Sequence, residues 1–214
     1  MKNQIVIARY NEDIEWIKYI NTELFDIFIY NKGNYITNKF NCKIINLNNS
    51  GRESHTYLYH IITNYENLPE KIIFTQAHPF DHTRVSFINE INNFEKNTDD
   101  FFYFSKNTLE IKYDENENKF KEFGMLNDTY WTNYHAITSP IFITTEKIFG
   151  AFKNNELNIF FGTGAIFGVN KNLITKRSKD FYMKCINVLN NSDNLINPDE
   201  GHSFERLWHY IFNK

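Results

Sequence analysis

The chain has 214 residues, 42% of them hydrophobic and 17% aromatic, with a net charge of −3. This composition excludes a disordered chain and lacks the basic footprint of nonspecific nucleic-acid binding, and its two distant cysteines, Cys42 and Cys185, give no basis for a disulfide framework. No segment approaches the about 20 apolar residues of a membrane span, and the first apolar run is too short for a signal peptide, so the expectation is a single domain over residues 1–214 in the cytoplasm.

Gln4–Ala8 (QIVIA) predicts a short buried strand. Asn11 then offers an N-cap, Glu12 and Asp13 an acidic first turn, and Ile14, Ile17, Ile20 and Leu24 keep helical spacing. Phe25–Tyr30 and Cys42–Leu47 predict the second and third strands. Ser50 and Glu53 stand at capping-box spacing before a helix with an apolar stripe at Leu58, Ile61, Ile62 and Tyr65. Lys71–Gln76 (KIIFTQ) is the next strand. This alternation is that of an α/β protein with helices on the faces of a sheet.

Farther on, Thr83–Lys96 predicts a helix, and Thr108–Phe123 a surface hairpin with an acidic tip at 114–117. Residues 127–139 give no clear pattern. Thr145–Phe152 predicts a short helix, Gly162–Val169 (GTGAIFGV) a glycine-flanked strand, and Ser178–Leu189 a helix. A final helix is capped by Asn197, with Pro198 in its first turn and Glu200 completing a box.

Ligands of open α/β sheets bind beyond the carboxyl ends of the strands. Four strand ends carry polar groups: Arg9 and Asn11; Asn31, Lys32 and Gly33; Ser50, Gly51 and Arg52; His78, Asp81 and His82. Solvent exposure alone would make single ends polar, but four together point to a site. In the fourth, AHPFDH, two imidazoles and a carboxylate suit a divalent metal, or form a turn whose histidines bond the backbone. At SGRES, a helix N-terminus and Arg52 attract an anion, or simply form a well-capped helix. The last helix has an apolar face at Phe204, Leu207, Trp208 and Ile211. His202, Glu205, Arg206 and His209 repeat the spacing opposite: a solvated face, or a metal ligand and a general base turned into a cleft. GxGxxG, P-loop, GxSxG and HExxH motifs do not occur. Tyr130, Trp131 and Tyr134 suit core packing or a sugar-stacking platform.

Taken together, IARYNEDIEWI, GRESHTYLYHIITNYENLP, IIFTQAHPFDH, GAIFGVNKNLI and EGHSFERLWHYIF resemble the family labelled domain of unknown function 3431, in order and over nearly the whole chain. The same order is similar to glycosyltransferases of the type-A fold, which implies one Rossmann-like mixed sheet flanked by helices. The resemblance places Arg9 and Asn11 at the nucleotide, His78, Asp81 and His82 in the metal region, Gly164, Ala165 and the chain end beside the donor sugar, and Glu205 as base. It further implies a nucleotide-sugar donor, of the UDP-sugar class, a glycan or other hydroxyl acceptor, and a divalent cation, Mn²⁺ or Mg²⁺. The Asp-x-Asp of those enzymes is replaced here by AHPFDH. Either the metal is held differently, with His202 as a further ligand, or Arg52 and Arg206 neutralise the diphosphate. The expected activity is sugar transfer with Asp81 or Glu205 as base; a non-catalytic nucleotide- or sugar-binding module and a metal-dependent hydrolase are the other two readings.

Overall fold

The computed structural model describes residues 1–37, 40–116, 119–126, 129–132, 140–150 and 156–214. Glu117 of the hairpin tip, Tyr134 and the end of the predicted 145–152 helix lie outside the described residues.

Strands β1 (Asn3–Arg9), β2 (Phe25–Asn31), β3 (Lys43–Asn46), β4 (Lys71–Gln76), β5 (Phe101–Tyr103) and β10 (Phe167–Asn170) form a sheet in the order β3-β2-β1-β4-β10-β5. The first four are mutually parallel, and β10 runs antiparallel to both its neighbours. Side chains alternate along β1: Ile5 and Ile7 pack with Trp16, Ile17 and Phe87, whereas Val6 and Ala8 pack with Tyr57, Ile61 and Trp208. Both faces are therefore buried, which is why the parallel strands read as continuous apolar runs rather than alternating ones.

Helix α1 (Arg52–Asn64) crosses from β3 to β4, and α2 (Phe87–Asn92) lies on the opposite face. Helices α3 (Pro140–Phe149), α5 (Lys179–Asn190) and α6 (Asp199–Asn213) gather on the α1 side, and α4 (Lys171–Thr175) follows β10. The expected mixed α/β sheet flanked by helices is present, but it is not alone. Strands β6 (Lys106–Asp114), β7 (Lys119–Leu126), β8 (Thr129–Thr132) and β9 (Glu156–Gly162) form a second, antiparallel sheet in the order β8-β7-β6-β9. Helix α6 packs against β9 as well as α1, tying the two sheets together.

Gly162–Val169 is therefore not one strand. The chain leaves β9 at Gly162, turns through Thr163–Ala165 with left-handed backbone at Gly164 (φ 68°) and Ala165 (φ 55°), and enters β10 in the other sheet. Beside it, β5 passes to β6 through Phe104 and Ser105, and Ser105 meets Thr163 through their main chains (3.3 Å) and hydroxyls (3.2 Å). The paired chains β5–β6 and β9–β10 thus bend side by side from one sheet into the other.

Several predicted helix starts shift. Asn11 caps no helix: its Oδ1 accepts from the Asn34 amide (2.8 Å), and a 3₁₀ turn follows at Glu15–Tyr19. Glu12 and Asp13 accept from the amides of Tyr10 (2.7 Å) and Glu15 (2.8 Å), so their carboxylates close local turns. Gly51, in left-handed backbone, precedes α1 without a side-chain cap, so the Ser50–Glu53 box does not form. Pro198, not Asn197, precedes α6. Thr83–Lys96 divides into α2 and a 3₁₀ turn at Phe94–Lys96. Ser178, expected as the first residue of its helix, is instead the N-cap of α5, accepting from the Phe181 amide at 3.2 Å. Among the described residues no helix is long and apolar enough to cross a membrane.

Candidate functional site

The chain extends the sheet from β1 to β2 and β3 on one side, then returns to place β4 on the other. The β1–β4 boundary is thus a topological switch point, the place where open α/β sheets bind their ligands. The residues expected at the strand ends do gather at this edge, but their environments differ sharply.

Arg9, at the end of β1, is only 8% exposed. It donates to the carbonyls of Glu12 (3.0 Å), Tyr10 (2.9 Å) and Asn34 (3.2 Å) and to Asn31 Oδ1 (2.6 Å). Asn31, also buried, donates onward to the Gly33 and Asn34 carbonyls and to Asn46 Oδ1. Arg9, Asn11 and Asn31 therefore strap the loops after β1 and β2 together rather than presenting donors to a ligand. Gly33 is obligatory there, because a Cβ would lie 1.8 Å from the Tyr10 carbonyl oxygen.

Beside this strap, the end of β2 and the head of α1 bring further charged groups together. Lys32 Nζ donates to the carbonyls of Ser50 and Arg52, both at 2.5 Å, and burial lowers its pKa to about 8 against a smaller upward pull from Glu53. Gly51 and Arg52 are successive left-handed residues (φ 62° and 52°) at the head of α1. Arg52 Nη1 donates to Asn197 Oδ1 (2.8 Å) and meets His202 Nε2 (3.3 Å), and its Nε lies 3.6 Å from Glu53 Oε2. The Glu53 side chain is 11% exposed. Burial raises its pKa to about 7, with Arg52 pulling down and Glu205 pushing up. From α6, Glu205 Oε1 accepts the Gly164 amide at 2.9 Å, and Gln76, at the end of β4, donates to the Gly164 carbonyl at 3.3 Å. A Cβ on Gly164 would lie 2.5 Å from Gln76 Nε2 and 2.7 Å from His82 Cδ2, so the corner comes this close only as glycine.

The polar side of α6 is accordingly turned inward, His202 to Arg52 and Glu205 to Gly164, and is not a solvated face. Arg206 departs from the group: it donates to the His202 carbonyl (2.8 Å) and its guanidinium lies 6.0 Å from the Phe161 ring centroid on β9.

Residues 5–214 match the family described as protein of unknown function (DUF3431). The chain belongs to that family. No curated protein matches it.

In this DUF3431 chain the proposed metal residues occupy three separate settings. His78 Nε2 stands 3.4 Å from Asp81 Oδ1 in an open turn, with side chains 52% and 73% exposed. His82 lies against Gly164, and His202 against Arg52. Among the described residues no three His, Cys, Asp or Glu side chains form a metal-holding group. Of the set His78, Asp81, His82 and His202, His78 and Asp81 stand within ion-pair distance of each other.

Two central residues were not singled out in the sequence. Glu53 passes for an ordinary capping acid; its one signal is a carboxylate beside Arg52 at the head of a helix with no other acid. Tyr57, one turn later, is wholly buried and carries no sequence signal that separates it from core.

Proposed function

We propose that the chain is a glycosyltransferase that moves a sugar from a nucleotide-sugar donor, of the UDP-sugar class, to a hydroxyl acceptor such as a glycan. The observation that carries this reading is the gathering of Lys32, Arg52 and Glu53 at the head of a helix beside a topological switch point, with His202 of α6 against Arg52. The family resemblance in segment order supports it. Lys32, Arg52 and the first turn of α1 supply positive potential for a diphosphate. In the reaction the acceptor oxygen forms a bond to the anomeric carbon, the bond from that carbon to the diphosphate oxygen breaks with its electron pair leaving on the diphosphate, and the acceptor proton passes to a carboxylate. Glu205 suits that role better than Asp81, which stands in open solvent. The hydrolase reading asks for a histidine-centred metal set, and these histidines stand apart. The binding-module reading is favoured by one observation, that Lys32 already serves two main-chain carbonyls.

A thermal-shift screen of UDP, GDP, CMP, TDP and their sugar conjugates, with Mn²⁺ and with a chelator, tests the proposal. A ligand at about 100 times its Kd adds about 2.7 kcal/mol, a rise of roughly 5–10 °C for a chain of this size. The expected result is such a rise with one nucleotide, lost in Lys32→Met and Arg52→Met, together with sugar transfer. A rise without turnover favours the binding module. A rise only with Mn²⁺ assigns charge neutralisation to a cation brought by the donor, for which His78 and Asp81 offer two ligand atoms. No rise with any nucleotide overturns the reading.

A further inference from the structure

Between α5 and α6 the chain passes over the head of α1. Residues 193–197 of this connection are exposed throughout, and Pro198 beyond them is buried. The Gly51 amide donates to the Leu195 carbonyl at 2.7 Å, and Arg52 Nη1 donates to Asn197 Oδ1 at 2.8 Å. Asn194 Oδ1 accepts from the amides of Ile196 (3.2 Å) and Asn197 (3.1 Å), which gives the segment a turn shape of its own. Leu195 and Ile196 are 50% and 59% exposed, so little apolar burial holds them down. The grip of this segment on α1 is polar.

The two donors it occupies are those that an anion at the head of α1 would take. A guanidinium offers a planar fork to oxygen acceptors, and the start of a helix favours negative charge. Here both donors are met by neutral oxygens, from the Leu195 carbonyl and the Asn197 amide. A neutral oxygen is the weaker partner for a guanidinium than a phosphate oxygen is. Arg52 is also confined on its other side. A Cβ on Gly201 would lie 2.9 Å from Arg52 Cδ, so the arginine stem passes α6 only because glycine stands there, and His202 Nε2 lies 3.3 Å from the same Nη1. With its stem held against α6, Arg52 meets a ligand where it stands. The segment over it is the part that gives way.

We propose that residues 193–197 are an autoinhibitory latch: the Leu195 carbonyl and Asn197 Oδ1 fill the Gly51 and Arg52 donors in place of a diphosphate, and the ligand binds by displacing them. The inference rests on the reading of the α1 head as the diphosphate site. The latch lies between two anchored ends. On one side the Asn191 amide closes α5 on the Asn187 carbonyl at 3.0 Å, and on the other Pro198 is buried at the start of α6. Opening uncovers little new apolar surface, because Leu195 and Ile196 already face solvent. A latch closed about 90% of the time lowers the apparent affinity for the ligand about tenfold.

The test is calorimetric titration of the full chain with inorganic pyrophosphate, in wild type and in Asn197→Ala. The substitution exchanges one neutral residue for another, so it removes the competing oxygen without changing the charge around Arg52. The expected result is pyrophosphate binding about tenfold tighter in the variant. Equal binding overturns the latch. Weaker binding also overturns it, and makes Asn197 a support that aims Arg52 at the ligand; in both cases the diphosphate reading of the α1 head stands. No binding in either protein removes that reading and the latch with it. A second measurement needs no variant: the methyl resonances of Leu195 and Ile196, followed by ¹H–¹³C NMR during the wild-type titration. Displacement moves both as pyrophosphate saturates the protein; saturation that leaves both in place overturns the latch.

Discussion

Two strand ends of the large sheet make opposite use of charge. The turn after β4 carries the more conspicuous residues, but His78 and Asp81 face solvent there, and an exposed pair of this kind is worth about 0–1 kcal/mol. The end of β2 and the head of α1 carry plainer ones, Lys32, Arg52 and Glu53, enclosed by α6 and the Gly164 corner. There burial shifts Lys32 downward and Glu53 upward. The difference teaches that the type of a residue marks a site less reliably than its desolvation, since low dielectric is what gives a charge chemical leverage.

Four substitutions sharpen that contrast. The largest effect falls on Gly33→Ala. A Cβ 1.8 Å from the Tyr10 carbonyl oxygen and 2.4 Å from Asn11 Oδ1 forces apart the strap that closes the β1 and β2 loops, and about 4 kcal/mol or more of stability should be lost in urea unfolding. Next is Glu53→Gln. With the Glu53 pKa raised from 4.5 to about 7, the folded chain binds a proton that the unfolded chain has released. Stability contributed by this group is therefore full below pH 4.5, falls between pH 4.5 and 7, and stays low above. The loss is about 3 kcal/mol in order of magnitude. Glu53→Gln should flatten that slope and make the variant the more stable protein at pH 8, as measured by denaturation at a series of pH values; a slope equal to wild type would place the titration elsewhere. The smallest effect belongs to His78→Ala and Asp81→Ala, each within about 0.5 kcal/mol of wild type. A large loss in either would show that the open turn is more than a turn.

Much of the large sheet was legible. KIIFTQ reads as β4 over the same residues 71–76, because a parallel strand buried on both faces is a short apolar run bounded by polar residues. The hairpin of β6 and β7 was legible for the same local reason. The pairing of β6 with β9, some 50 residues on, was not, since periodicity holds no information about distant partners. GTGAIFGV misleads most: its apolar pattern continues across a corner made by positive φ at Gly164 and at Ala165, and an alanine in that conformation has no sequence signature. At the site, Lys32, Arg52, His202 and Glu205 were each visible as polar groups near strand or helix ends. Their convergence was not, because it depends on α6 turning its polar side inward against β9 and α1. Glu53 escaped notice because a helix-capping acid and a buried titrating acid look the same in a sequence.

The bend shared by β5–β6 and β9–β10 has a mechanical meaning. Ser105 and Thr163 fasten the two chains to each other at the corner, so the pair flexes as one ribbon and not as two loose connections. Any twist applied to the hairpin sheet must rotate Gly164 and Ala165, and the Gly164 amide is the group that Glu205 holds. A load on the outer sheet is thus delivered to a carboxylate in the interior, as a pull on a lever arm reaches its fulcrum.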